Sequence, residues 1–141
     1  ARAWNAESGS AMGQPMSHQA HVFEVNFSPD LQKIVTASAD GTARIWAVNT
    51  GEPATEPLSH NGFVHSAKFS PDGKFIMTAS ADRTARLWDS QTGQPVGSPL
   101  MHDASVIQAC FFPSGNRVMS SGMDRSVNVW DVQSSQPLME T

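Results

Sequence analysis

Three sets of side chains in this sequence each combine a hydroxyl, an imidazole and a carboxylate, followed by a tryptophan. A Ser or Thr hydroxyl beside a histidine and an aspartate is the composition of a hydrolytic triad, in which the imidazole activates the hydroxyl as a nucleophile. The spacing is the same in every set, so the three sets must have equivalent roles. The sets are His18, Thr36, Asp40 and Trp46; His60, Thr78, Asp82 and Trp88; and His102, Ser120, Asp124 and Trp130.

Threefold repetition favours a structural role for these sets over catalysis. An enzyme needs one site with an exposed nucleophile and an oxyanion hole, whereas equal copies are typical of architecture. A buried indole N–H needs an acceptor, and an aspartate can accept from a histidine ring and from backbone N–H groups in a turn. We therefore expect no catalytic residue in this chain.

The histidines do not have the spacing of a metal site. His18 and His21 are three residues apart and His60 and His65 are five apart, with no cysteine close to either pair. Zinc sites in proteins typically combine such pairs with further Cys or His ligands. The sequence also lacks a Gly-rich phosphate loop with its lysine and following helix. Neither a metal nor a cofactor is predicted.

Charge and composition restrict the class of partner. The 141 residues carry a formal net charge of −4, which argues against nucleic acid or an anionic membrane as the main partner. No segment approaches the roughly 20 apolar residues that span a bilayer. Residues 1–10 lack a basic segment followed by an apolar one, so we expect no secretory signal. The one cysteine, Cys110, cannot form an internal disulfide and fits a reducing compartment. We expect a cytoplasmic location.

The tryptophans reveal an internal repeat. Successive tryptophans are 42 residues apart, and residues 1–42 share 19 identities with residues 43–84. The length therefore corresponds to three repeats and about a third of another.

Each repeat has the pattern of four short strands joined by turns. In the second full repeat these are residues 63–70, 74–80, 84–90 and 94–100, with the turn Pro71-Asp72-Gly73 after the first. No segment has a capped helical period, so no helix is predicted. Three phenylalanines recur in the first strand and are expected to be core anchors: Phe27, Phe69 and Phe111.

Prolines identify the fourth strand as the outer edge of each sheet. Pro53 and Pro57, and likewise Pro95 and Pro99, are four residues apart. Because N–H direction alternates along a strand, each pair removes donors from the same side. Such a loss is tolerated at an edge, where it also hinders addition of a further strand.

Four strands in 42 residues match the blade of a β-propeller. The second full repeat also contains His60, FSPDG at 69–73, TASAD at 78–82 and RLWD at 86–89. Through these residues the chain resembles the WD-repeat family of propellers. The style of the repeats is also similar to propeller regions attached to bacterial signalling kinases and ATPases. The departures from the family pattern are Trp4-Asn5 and Trp46-Ala47 in place of Trp-Asp, and Ser17-His18, Ser59-His60 and Met101-His102 in place of Gly-His.

The resemblance implies an all-β fold of about three and a half blades. We expect residues 1–16 to form the outer half of a blade (the half-blade), and residues 17–58, 59–100 and 101–141 to form blades 1, 2 and 3. Family members typically close with about seven blades, which implies that further blades complete the ring. We expect a fragment of a longer propeller, with a ring of identical copies as the alternative. In the family, the four residues of each of the three sets, which we call a tetrad, form a hydrogen-bonded chain from Trp through Thr or Ser and His to Asp.

The function implied is a non-catalytic protein-interaction scaffold or sensor module. In family members, the loops before the first strand and before the repeated aspartate line the face that docks partners. The resemblance therefore implies that His21, Phe63 and Met123 are binding residues for a protein or peptide partner. The alternative is a propeller enzyme or small-molecule binder that uses polar residues lining the central channel. Glu24, Ser66 and Gln108 share one position of the repeat and are the candidates for that role.

Overall fold

The computed structural model confirms the all-β prediction. It describes residues 1–134 and 137–140, and within those ranges there is no helix. Three four-stranded sheets and one two-stranded sheet are formed, and every strand pairing is antiparallel. These sheets amount to about three and a half blades. The predicted boundary of blade 3 at residue 141 lies outside the described residues.

The strands follow one another along each sheet in chain order. The half-blade contains β1 (Ala3–Trp4) and β2 (Ala11–Met12). The bounds in the three blades are β3 (Val22–Phe27), β4 (Lys33–Ser38), β5 (Thr42–Ala47) and β6 (Leu58–Ser59); β7 (Val64–Phe69), β8 (Phe75–Ser80), β9 (Thr84–Asp89) and β10 (Pro95–Met101); and β11 (Val106–Phe111), β12 (Arg117–Gly122), β13 (Val127–Asp131) and β14 (Pro137–Glu140).

The turn between the first two strands is held by its own side chains. In blade 2 the Ser70 hydroxyl donates to Asp72 Oδ1 at 2.7 Å and accepts from the Phe75 N–H at 2.9 Å. Gly73 adopts a left-handed conformation with φ of 74°, and Leu31 occupies the same position in blade 1 with φ of 60°. The predicted Pro71-Asp72-Gly73 segment is thus a tight turn whose third residue is left-handed, and in blade 1 a leucine adopts that conformation.

The fourth strand lies at the edge of its sheet and is irregular. β10 is at the edge of the blade 2 sheet and changes register between Val96 and Leu100. In blade 1 the fourth strand shortens to β6, and one isolated bridge joins Trp46 to Pro53. The missing proline N–H groups account for this broken pairing.

The core lies between successive sheets. Each sheet has a leading face toward the preceding repeat and a trailing face toward the following one. Val35 and Ile45 on the trailing face of blade 1 pack in one cluster with Val64 and Ile76 on the leading face of blade 2. An equivalent cluster joins blades 2 and 3. A smaller one, which includes Ala3 and Met16 of the half-blade, covers the outer part of the leading face of blade 1.

One predicted core anchor is wrong. Phe27 is 53% exposed, whereas Phe69 and Phe111 pack against the clusters between blades. The difference follows from the half-blade, which contributes only β1 and β2 and has no strand beside the inner part of the leading face of blade 1.

Candidate functional site

The structure brings the four residues of each tetrad into one hydrogen-bonded chain. In blade 2 the Trp88 indole N–H donates to Thr78 Oγ1 at 2.8 Å, and Thr78 Oγ1 lies 2.7 Å from His60 Nε2. The other ring nitrogen, Nδ1, lies 2.9 Å from Asp82 Oδ2. The corresponding three distances are 2.8, 2.6 and 2.8 Å in blade 1 and 2.8, 2.7 and 2.8 Å in blade 3.

Burial determines the direction of each hydrogen bond. Desolvation lowers the pKa of His60 more than the adjacent carboxylate raises it, so the ring is neutral at pH 7. Burial opposes ionisation of Asp82, but hydrogen bonds from Thr84 and His60 outweigh it and lower the pKa of Asp82 to about 2. The imidazole therefore donates from Nδ1 to the carboxylate and accepts the Thr78 O–H proton at Nε2.

Similar electrostatics hold for His18 in blade 1 and for the aspartates of both neighbouring blades. Burial lowers the pKa of His18. Burial also opposes ionisation of Asp40, but hydrogen bonds from Thr42 and His18 keep the pKa of that carboxyl well below its usual range. In blade 3, hydrogen bonds led by that from the Ser126 hydroxyl do the same for Asp124.

The atom order matches that of a hydrolytic triad, but the hydroxyls are inaccessible. Thr36 and Thr78 are 0% exposed and Ser120 is 1% exposed. The Thr78 oxygen is surrounded by the Trp88 indole, the His60 ring and the Arg86 carbonyl, which lies at 3.3 Å. A nucleophile must reach a substrate carbonyl, and these oxygens cannot.

Each tetrad also fastens two loops at one end of its blade. Asp82 Oδ2 accepts from the Asn61 N–H at 3.2 Å, in the loop before β7. Its Oδ1 accepts from the Thr84 N–H at 3.0 Å and the Thr84 hydroxyl at 2.6 Å, after the β8–β9 turn. The chain of hydrogen bonds therefore runs from the indole inside the blade to the loops at its surface.

The predicted docking residues lie at this end of three successive blades. His21 and Phe63 precede the first strands of blades 1 and 2, and their carbonyls accept from the N–H groups of Ala39 and Ala81, both at 2.8 Å. Met123 occupies the position of Ala39 in blade 3. Phe63 is 54% and Met123 70% exposed, and His21 is also exposed.

The channel candidates line one open cavity of about 420 Å³, which involves all three first strands. Glu24 Oε2 accepts from the Ala67 N–H at 2.9 Å, and Oε1 lies 3.6 Å from Lys68 Nζ. Ser66 is buried and Gln108 is exposed. The Glu24 carboxylate is therefore engaged in holding blades 1 and 2 together.

Comparison with known proteins identifies the repeats. The family described as "WD domain, G-beta repeat" matches residues 13–47, 51–89 and 93–131. The chain belongs to the WD-repeat family. Among solved structures it is similar to the computationally designed Ika8 protein, with a TM-score of 0.88 and 25% sequence identity over 98% of this chain. The chain spans 42% of the length of that protein. No curated protein matches the chain.

Two grooves between WD blades were not predicted from the sequence. They lie at the end opposite the docking loops, beside the turns that follow the first strands. One, of about 430 Å³, includes Asp30 and Lys74, and the other, of about 720 Å³, includes Pro71, Phe75 and Pro113. No pattern within a single repeat could have located them, because each groove forms between two blades.

Two further properties of the described WD repeats bear on the site. Among residues 1–134 and 137–140, no three His, Cys, Asp or Glu side chains are grouped so that they could hold a metal ion. Over those same ranges, no helix has the length and apolar character needed to cross a bilayer.

Proposed function

We propose that this WD-repeat chain is a non-catalytic scaffold that binds a protein or peptide partner. The partner binds at the loop face, which is the end of the blades that carries His21, Phe63 and Met123. The observation that carries the proposal is the burial of all three candidate nucleophiles together with their complete hydrogen bonding. The hydroxyls of Thr36, Thr78 and Ser120 are at most 1% exposed. Hydroxyls that are buried and fully hydrogen-bonded stabilise the fold, so the function is carried by residues at the surface.

The loop face is pre-organised by the tetrads. Each tetrad aspartate accepts a backbone N–H from the loop before the first strand, at Gln19, Asn61 and Asp103. A loop held in its bound conformation loses less conformational entropy when a partner docks. The tetrads thereby support binding without taking part in a reaction.

The exposed side chains on this face favour a polypeptide partner. Phe63 and Met123 are large, apolar and more than half exposed, and aromatic and Met side chains are enriched at protein interfaces. The net charge of −4 disfavours nucleic acid. The single, half-buried thiol of Cys110 supports a reducing compartment such as the cytoplasm.

Further blades are part of the proposal. On the trailing face of blade 3, Met119 is 38% exposed, whereas Met77 at the same position of blade 2 is fully buried. Similarly, Val127 is 40% exposed and its counterpart Ala85 is 0% exposed. Blade 2 buries its side chains at these positions against the next blade. The exposure of the same positions in blade 3 therefore supports a ring completed by other blades, from a longer chain or identical copies.

Partner capture with matched variants tests the docking face. Phe63→Ala removes an exposed aromatic from the face, and Leu31→Ala removes an apolar side chain of similar exposure, 64% against 54%, from the opposite end. We expect Phe63→Ala to weaken binding of a captured partner at least about 10-fold, as for an interface hot spot, and Leu31→Ala to leave it unchanged. Equal affinity of both variants, or hydrolase activity abolished by Thr78→Val, would contradict the proposal.

A further inference from the structure

Two grooves at the end of the blades opposite the loop face occupy equivalent positions of the repeat but differ in character. The groove between blades 1 and 2, which we term the charged groove, has a volume of about 430 Å³ and is lined in part by Asp30, Lys33 and Asp89. The groove between blades 2 and 3, which we term the apolar groove, has a volume of about 720 Å³. A described blade forms each wall, so the difference arises from the residues that line the grooves.

A lysine side chain bridges the charged groove. The ammonium of Lys33, at the start of β4 in blade 1, donates to the Ser90 carbonyl of blade 2 at 3.0 Å. The carboxylates of Asp30 and Asp89 line the same groove. The charged groove therefore contains a cation that belongs to the chain itself and that is bound to a backbone acceptor.

The next blade has a phenylalanine at the position of this lysine. Phe75 corresponds to Lys33, and Val132 corresponds to Ser90. The N–H groups of Ser90 and Val132 are held alike, because each donates to the carbonyl before the second strand of its own blade, at 2.9 and 3.0 Å. The Phe75 side chain has no donor, so the Val132 carbonyl receives no bond equivalent to that from Lys33. The apolar groove therefore has the acceptor without the internal cation.

The walls of the apolar groove are mostly carbon. Phe75, Val96 and Val132 are half-buried and pack against the cluster between blades 2 and 3. Pro71 and Pro113 add to the lining from the turns of the two blades. Small-molecule sites are typically concave, with volumes of about 300–1,000 Å³, apolar walls and a few polar groups. The size and lining of the apolar groove fit a ligand with an apolar body.

Asp72 is the one charged side chain among the described residues that line the apolar groove. Its Oδ1 accepts from the Ser70 hydroxyl at 2.7 Å and from the Lys74 N–H at 3.1 Å, and these hydrogen bonds lower the pKa of Asp72. Its Oδ2 lies 3.7 Å from Lys74 Nζ, and both side chains of this pair are more than half exposed. Because exposed ion pairs are weak, the Asp72 carboxylate can also attract a cationic ligand.

We propose that the apolar groove binds a small amphipathic amine, which has one ammonium group on an apolar body. The ammonium donates to the Val132 carbonyl and so takes the place that Lys33 has in the charged groove. The Asp72 carboxylate attracts the positive charge, and the apolar body packs against Phe75 and Val96. The amine site is at the opposite end of the blades from the loop face and does not depend on the scaffold function proposed above.

Three matched probes test the class of ligand: phenylbutylamine, phenylbutanol and phenylbutyrate share an apolar body and differ in charge. Titration of the isotope-labelled chain measures their affinities through the NMR shifts of amides in residues 71–75 and 113–116. We expect the amine to bind at least about fivefold more tightly than the alcohol, because its donor is charged, and we expect no binding of the carboxylate. Failure of the amine to bind, or equal affinity of amine and alcohol, would overturn the proposal.

A substitution taken from the repeat itself locates the site. Phe75→Lys introduces the residue that blade 1 has at this position, and it should abolish amine binding because an internal ammonium then occupies the Val132 carbonyl. Lys33 shows that a WD blade accommodates lysine here, and unchanged amide shifts in blade 1 confirm that the variant folds. An unaltered affinity for the amine in Phe75→Lys would show that the probe binds elsewhere and would overturn the proposal.

A matched pair of aspartate variants tests the contribution of charge. Asp72→Asn keeps the oxygen that the turn uses and should weaken amine binding about threefold. Asp30→Asn makes the same change at the equivalent position of blade 1, which lines only the charged groove, and should leave the affinity unchanged. Equal affinities in the two variants would contradict the role of Asp72. Partner capture with Phe63→Ala concerns the loop face and is independent of these results.

Discussion

The Nδ1 atom of His60 lies 2.9 Å from Oδ2 of Asp82, although the two residues are 22 positions apart. Their side chains are 0% and 7% exposed. If one partner is removed, water therefore cannot replace it in the hydrogen bond to the other. The same pairing recurs in the blades on either side, and it joins the loop before the first strand to the turn before the third.

Loss of the carboxylate should destabilise the fold. We expect Asp82→Ala to lower the free energy of unfolding by about 1–3 kcal/mol, because the His60 N–H is left buried without an acceptor. Urea titration measures the change. Asp103→Ala, at an exposed aspartate one blade away, should change stability by less than about 0.5 kcal/mol, and equal stability of the two variants contradicts the structural role.

Much of this arrangement could be predicted from the sequence, because a 42-residue period carries each polar residue to the same place in each blade. The exposure of Phe27 could not, since it depends on which neighbouring strands are present rather than on the residue's own position in the repeat. The grooves beside Phe75 and Pro113 could not either, because they form between blades and leave no pattern within one. For β6, Pro53 and Pro57 predicted an edge strand with missing donors, but not that the strand would be as short as Leu58–Ser59.

Stability should fall in acid in two stages with the same sign. Burial lowers the pKa of His60 from its ordinary value of 6.5, so the unfolded chain takes up protons first and stability decreases as pH falls below 6.5. Asp82, with a pKa lowered from 3.8 to about 2, contributes stability above pH 3.8 that is lost as pH falls toward 2. Urea midpoints from pH 8 to pH 2 test both stages, and a rise in stability below pH 6.5 would instead indicate a dominant imidazolium–carboxylate pair.

The four tryptophans should respond unequally to loss of the indole N–H. Trp88→Phe removes a donor from the buried Thr78 hydroxyl and leaves a void, and we expect a cost of about 1–3 kcal/mol. Trp4→Phe, at a position 59% exposed, should cost less than about 0.5 kcal/mol. Chemical denaturation of the two variants makes the comparison, and a larger effect at Trp4 is incompatible with the hydrogen-bonding pattern described above.

The left-handed turn residue of blade 1 offers a stabilising substitution. Leu31 has φ of 60° and is 64% exposed, while blades 2 and 3 have glycine at this position. Leu31→Gly removes the steric strain of the side chain without loss of packing, and we expect a gain of about 0.5–1 kcal/mol. The reciprocal Gly73→Leu should destabilise by a similar amount. Thermal melting measures both, and a loss of stability in Leu31→Gly is the contrary result.

Amide hydrogen exchange tests most directly whether the tetrads act to hold the docking loops. In Asp82→Ala the N–H of Asn61 loses its acceptor, so exchange in residues 59–63 should be at least about 10-fold faster than in the parent chain. The equivalent loop of blade 1, residues 17–21, keeps Asp40 and serves as the internal control, with unchanged exchange. Unchanged protection of residues 59–63 in Asp82→Ala would contradict the claim that the tetrad positions the loop face.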